Sequence, residues 1–107
     1  MVQQVKGVEA FDKIIKETKG LVAVDFFAVW CRPCQQIGPV FEKIETETPN
    51  ALFLKVDVDE SNDTAGKYGI TSMPTFIFFK DGENVKTVIG PTEHELRAVI
   101  KELAGSD

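Results

Sequence analysis

Apolar residues near the start of the chain recur at helical spacing: Val8, Phe11, Ile14 and Ile15 line one side, and Glu9, Asp12, Lys13 and Lys16 the other. A short strand over residues 2–5 precedes this helix, and Gly20 stands where a helix C-terminal glycine belongs. The pattern then changes. Leu-Val-Ala-Val-Asp-Phe-Phe, residues 21–27, is apolar on both faces apart from Asp25, which predicts a central strand covered from both sides. From Cys34, helical spacing returns in Ile37, Phe41 and Ile44 and continues towards Thr48, where Pro49 stops it. Pro39 falls inside this helix and predicts a kink, because it lacks a backbone donor.

Residues 52–58 form the next buried strand, interrupted by Lys55. Residues 59–69 are polar, with Ala65 and Tyr68 as anchors for a short helix. An aromatic, β-branched strand follows at 75–79; Asp81-Gly82 is a hairpin turn, and 84–89 returns antiparallel. Thr92-Glu93-His94-Glu95 has the form of a capping box, with Thr92 as N-cap. Leu96, Val99, Ile100 and Leu103 then give the last helix its inner stripe. The order β-α-β-α-β-α-β-β-α predicts an α/β fold: a central mixed five-stranded sheet with helices on both faces. With no repeat or linker in its 107 residues, the chain reads as a single domain over 1–107.

Composition narrows the function more than the fold. Hydrophobic content of 43% and charged content of 27% are those of a soluble globular protein. The net charge is −5 and Lys and Arg collect on no stretch, which argues against nucleic acid as a partner. No apolar run approaches a membrane span, and residues 1–10 lack the apolar segment of a signal peptide, so the expected setting is cytoplasmic. Two cysteines are too few for the framework of a small secreted domain. The bridge they could form would also be a weak staple, worth about 2 kcal/mol against about 3 for a 15-residue loop. A working redox role fits better than bracing.

Those two cysteines, with the one tryptophan, lie in Trp30-Cys31-Arg32-Pro33-Cys34. Cys31 follows a strand and opens a helix, where free backbone N–H groups and the dipole favour an anion. That lowers the thiol pKa and supplies the thiolate, which attacks disulfides. Cys34, one turn further in and more buried, is placed to attack a mixed disulfide on Cys31. Pro33 suits the first helical turn, where its missing N–H is not needed. Structural zinc takes four ligands, and beyond this pair His94 stands alone, on the polar side of the last helix. A metal shared between two chains is the remaining rival to a redox pair. Asp25 reads either as a buried carboxyl of raised pKa or as an exposed strand-end residue. Lys55 reads equally as a snorkelling surface lysine, Trp30 as packing beside a helix start, and Pro74 as a trans turn proline, since only about 5–6% of X–Pro bonds are cis.

The run Val24-Asp25-Phe26-Phe27-Ala28-Val29-Trp30-Cys31-Arg32-Pro33-Cys34 resembles the active-site segment of the thioredoxin family. The likeness continues through Pro39, Lys55, Met73-Pro74-Thr75, Gly82 and Gly90, essentially the whole chain. It implies a thioredoxin fold and a protein-disulfide reductase working through a reversible Cys31–Cys34 disulfide in cell redox homeostasis. Cys31 would be the nucleophile and Cys34 the resolving thiol. Asp25 would help move the Cys34 proton, with Lys55 as its partner. Pro74 would be cis and orient the substrate backbone, within a substrate-binding patch of Trp30, Arg32, Pro33, Met73, Pro74, Ile89 and Gly90. The resemblance also implies a monomer with no bound cofactor and no metal. Its partners would be disulfide-containing proteins and a thioredoxin reductase passing on electrons from NADPH.

Arg32 departs from the family, which has Gly between the first cysteine and the proline. A cation beside Cys31 stabilises its thiolate, and at about 0.2–1 kcal/mol for an exposed pair it moves the potential by about 5–20 mV towards oxidising. That is too small to make a dedicated oxidant, but the added charge favours acidic partners. Two alternatives stay open because of it: an oxidase or isomerase variant, which usually carries His where this chain has Pro33, and a non-catalytic binding module of the same fold.

Overall fold

The computed structural model describes residues 1–105; the last two positions of the expected domain, 106 and 107, lie outside the described residues. In chain order the elements are β1 (Gln3–Gln4), α1 (Val8–Glu17), β2 (Leu21–Phe27), α2 (Arg32–Thr46), β3 (Ala51–Asp57), α3 (Asn62–Lys67), β4 (Thr75–Lys80), β5 (Glu83–Ile89) and α4 (Glu93–Ala104). This is the order that the periodicities predict. The sheet runs β1-β3-β2-β4-β5, with β1, β3 and β2 parallel, β4 antiparallel to β2, and β5 antiparallel to β4. β2 therefore lies at the centre, bonded on both edges.

Alternation along β2 divides the core in two. Leu21 and Ala23 face α2 and α4, joining Phe41, Phe53, Phe76, Leu96 and Ile100. Val22, Val24 and Phe26 face the other way, towards Phe11 and Ile15 of α1. Aromatic rings fill both layers: Phe41 lies 4.9 Å from Phe53 and 5.2 Å from Phe76, centroid to centroid, on one side. On the other side Phe11 lies 5.3 Å from Tyr68 and 6.0 Å from Phe26. Tilted and edge contacts of this kind add specific attraction to the area they bury. Asp25 belongs to the α2 face and sits opposite Phe76 on β4 and Lys55 on β3.

Three local expectations are refined. The first strand pairs over two residues only, while its flanks, Val2 and Val5, enter opposite core layers. Gly20 does not end α1. That helix closes at Thr18, whose N–H donates to the Ile14 carbonyl, and Gly20, at φ +85°, turns the chain into β2. There its N–H donates to the Asp81 carboxylate at 2.9 Å and its carbonyl accepts from the Asp81 N–H at 3.2 Å, tying the start of β2 to the far hairpin. α2 continues through Pro39. Pro39 and Gln35, whose carbonyl loses its helical donor to the proline, are both exposed, so water can satisfy that oxygen.

The β4–β5 turn has Asp81 and Gly82 at φ 52° and 87°, the two positive angles that a tight type I′ hairpin needs. At the start of α4 the Thr92 hydroxyl accepts from the Glu95 N–H at 3.1 Å and the Glu95 carboxylate from the Thr92 N–H at 2.9 Å, a complete capping box. Among the described residues no helix is long and apolar enough to cross a membrane. The cap predicts that Thr92→Ala destabilises the protein by about 1 kcal/mol. Urea unfolding checks this: the midpoint should fall while the slope stays the same.

Candidate active site

β2 and β3 run parallel, so the segments that leave their ends emerge side by side at one edge of the sheet, where α/β folds gather their chemistry. After Phe27 the chain makes a short turn in which the Cys31 N–H donates to the Ala28 carbonyl at 3.1 Å. Cys31 then caps α2. Its backbone is extended and its sulfur accepts the Cys34 N–H at 3.3 Å, one of the amides that a helix start leaves unpaired. Arg32 and Pro33 fill the first turn and are exposed, and the helix delivers Cys34 one turn in. The two cysteines are joined as a disulfide, with their Cα atoms 5.3 Å apart.

The two sulfurs differ in surroundings rather than in depth. Sequence reasoning expects Cys34 to be the more buried, yet both residues are 5% exposed, because Cys31 is covered from across the sheet. Its sulfur lies 3.7 Å from the Met73 carbonyl oxygen, beside a cis Met73–Pro74 peptide. Cys34 instead borders a cavity of about 590 Å³ that reaches Asp25, Glu42 and Lys55.

Asp25 is 4% exposed, and its Oδ1 has no hydrogen-bond partner among the described residues. Burial raises its pKa to about 7; the positive charge of Lys55 opposes the rise and the negative charge of Glu42 adds to it. Of the two sequence readings, the buried carboxyl holds and the exposed strand-end residue does not. Lys55 stands directly across from Asp25 in the β2–β3 register, but its ammonium makes its ion pair with Glu42, at 3.6 Å. The expected Asp25–Lys55 partnership is thus one of neighbouring charges, not of contact.

Around the cysteines, Trp30 is 66% and Ile89 63% exposed, so the indole is surface rather than packing. Met73 is half-buried, Pro74 is buried and Gly90 is exposed. Gly90, at φ +59°, donates its N–H to the Pro74 carbonyl at 2.9 Å, which fastens the end of β5 to the turn facing Cys31. Pro33, Pro74 and Gly90 share a shallow groove with Ile37 and Val40 of α2. His94 is exposed on α4. Among the described residues no three His, Cys, Asp or Glu side chains gather as metal ligands.

Two residues of the site escaped the sequence reading. Asp59 accepts the Trp30 indole N–H at 2.9 Å, holding the exposed ring. The signal available was the parallel pairing of β2 and β3, which brings the loops after them together. Glu42 had a weaker signal: it continues the row Cys34, Gly38, Glu42 along one side of α2, at the four-residue step that lines up side chains on a helix.

The thioredoxin family model matches residues 2–102. An H-type thioredoxin of Picea mariana is 49% identical over 90 residues, covering 84% of this chain and 72% of its own length. The structure of Plasmodium falciparum thioredoxin superposes with a TM-score of 0.92 at 42% identity, covering 96% of this chain and all of that one. That of oxidised mitochondrial thioredoxin 3 from Saccharomyces cerevisiae does so with 0.89 at 35% identity, covering 95% of each. A disulfide capping a helix beside a buried carboxyl, on a sheet of this topology, agrees with these likenesses. The chain belongs to the thioredoxin family, and it is a protein-disulfide reductase with a redox-active cysteine pair.

Proposed function

We propose that the two cysteines divide the reaction between them, Cys31 attacking and Cys34 resolving. The observation that supports this is the asymmetry of their surroundings: Cys31 has the helix N-terminal amide and the Met73–Pro74 turn, Cys34 the cavity of Asp25. In the reduced protein the amide at the helix start stabilises a Cys31 thiolate. That thiolate attacks one sulfur of a substrate disulfide; the S–S bond breaks, a mixed disulfide forms, and the other substrate sulfur leaves as thiolate. Cys34 then gives its proton to the Asp25 carboxylate and attacks the Cys31 sulfur. The mixed disulfide breaks, the Cys31–Cys34 bond forms, and the second substrate sulfur leaves with the electron pair. A pKa near 7 suits Asp25 to both halves of that exchange.

Trp30, Met73 and Ile89 offer apolar surface around the pair, and Pro33, Pro74 and Gly90 a groove for an extended segment, so unfolded or loop disulfides of other proteins are the proposed substrates. Regeneration is assigned to a thioredoxin reductase drawing on NADPH, with this chain a monomer that carries electrons as thiols. A reducing compartment is required for that cycle. We place it in the cytoplasm, on the cysteine usage, while the mitochondrial relative shows that the same design serves elsewhere. Arg32, exposed between the cysteines, is proposed to favour acidic segments.

Three outcomes follow from this reading. Cys34→Ser should accumulate covalent mixed disulfides with insulin, seen by mass spectrometry, and Cys31→Ser should not; trapping by both, or by neither, would overturn the roles. Arg32→Gly should lower the ratio of reduction rates on acidic against basic disulfide peptides, and an unchanged ratio removes the role of Arg32. Asp25 gives a test in stability. Its folded pKa is raised, so between about pH 4 and pH 7 the folded chain keeps a proton that the unfolded chain has released. Stability therefore falls as pH rises through that window, by about 1.4 kcal/mol per pH unit from this one group. Asp25→Asn stays neutral, so its urea midpoint should match the parent near pH 4 and exceed it at pH 8; equal midpoints at both would refute a buried, proton-holding Asp25.

A further inference from the structure

Two carboxylates share one lysine at the mouth of the Asp25 cavity. Lys55 is the cation opposite Asp25 across the strand pair, yet its Nζ lies 3.6 Å from Glu42 Oε2, and among the described residues Asp25 Oδ1 is left without a partner. Glu42 is itself held in place, since its Oε1 accepts the Val2 N–H at 3.2 Å. Lys55 and Glu42 are part-exposed, at 34% and 38% of their side chains, whereas Asp25 is buried; the ion pair thus forms where water can still reach it.

The charges that face Asp25 are few. From α2 come Glu42 and the Cys34 sulfur, and from β3 come Lys55 and, one pair further along the same face, Asp57. Asp57 is turned away to its own loop, where it accepts the Asp59 and Glu60 N–H groups at 2.9 and 3.3 Å. β4 brings Phe76 and α4 brings Leu96 and Ile100, none of them titratable. Burial is the main reason that Asp25 keeps its proton, and Lys55 is the one cation set against it, engaged by Glu42.

We propose that Glu42 is a positioning residue for the resolving half of the reaction: by holding the Lys55 ammonium at the cavity mouth, it keeps Asp25 free of a direct cation and basic enough to take the proton of Cys34. The inference rests on Asp25 acting as proton acceptor for Cys34. Without the Glu42 charge, the carboxylate directly across the strand pair from Lys55 is Asp25. An opposite charge brought within a few ångströms lowers a carboxyl pKa by about 1–3 units, and a weaker base draws the proton from Cys34 less readily.

Glu42→Gln is the informative variant, because the amide oxygen can still accept the Val2 N–H while the charge is gone. The carboxyl carbon of Asp25 should then titrate lower by about one pH unit, followed by carbon-detected NMR on the oxidised protein. Reaction of the reduced protein with dithiobis(nitrobenzoate) separates the steps, since the second thionitrobenzoate is released only when Cys34 resolves the adduct. Its pH profile should move down by the same amount, with a high-pH rate about threefold lower. In a Lys55→Met background the same Glu42→Gln change should shift the titration clearly less. Unmoved Asp25 titration, or an equal shift with and without Lys55, overturns the inference, as does a titration that moves while the rate profile stays still. Asp25→Asn tests the underlying reading separately: if it releases the second thionitrobenzoate as fast as the parent, Asp25 is not the proton acceptor.

Discussion

Everything at the active site depends on β2 being shut off from water on both faces and both edges. Two strands bond to it, two aromatic layers cover it, and all its residues except Phe27 are buried. In that setting apolar side chains stabilise the fold and a carboxyl opposes it. Asp25 is the one charged residue on the strand, and its neutral form is favoured over the usual carboxylate range for that reason. The strand that organises the core is thus also the strand that holds a carboxyl of raised pKa.

The same strand aims the chemistry. Because β2 is central and parallel to β3, its end meets the start of α2 and the end of β3 on one edge, and Cys31 is delivered as the cap of a helix. Helix-end amides are unsatisfied wherever a helix begins; here a sulfur occupies one of them. The β4 side supplies the opposite wall, with the Met73 carbonyl against Cys31 and the Gly90 to Pro74 hydrogen bond tying β5 to it. A sulfur at a helix start meets the groove of Pro33, Pro74 and Gly90 only because both halves of the sheet end there.

Charge balance around Asp25 shows how a fold moderates an expensive group. A direct ion pair would make the buried carboxylate easier to form but would also fix it in that state. Here the cation is opposite in register but engaged by a helix carboxylate in part-exposed surroundings. Asp25 then feels a positive and a negative charge at once, and burial dominates.

Periodicity and turn chemistry made most of the fold legible. The double-sided apolar run of β2, the helical rows of α1, α2 and α4, the Asp-Gly hairpin and the Thr92 cap are each written in a few neighbouring residues. So was the cysteine pair, since two thiols three positions apart at a strand-to-helix junction are a local pattern. Arg32 was legible as exposed charge for the same reason. What lay beyond reach depends on residues distant in sequence. That Gly20 serves the Asp81 turn, that Asp59 holds Trp30 and that Cys31 is as buried as Cys34 follow from which strands are neighbours. The choice of Lys55 between Asp25 and Glu42 is the clearest case: spacing shows three charged residues on three elements. Only their packing shows which two touch, because an ion pair is decided by ångströms of separation and by access to water, neither of which a linear order of residues contains.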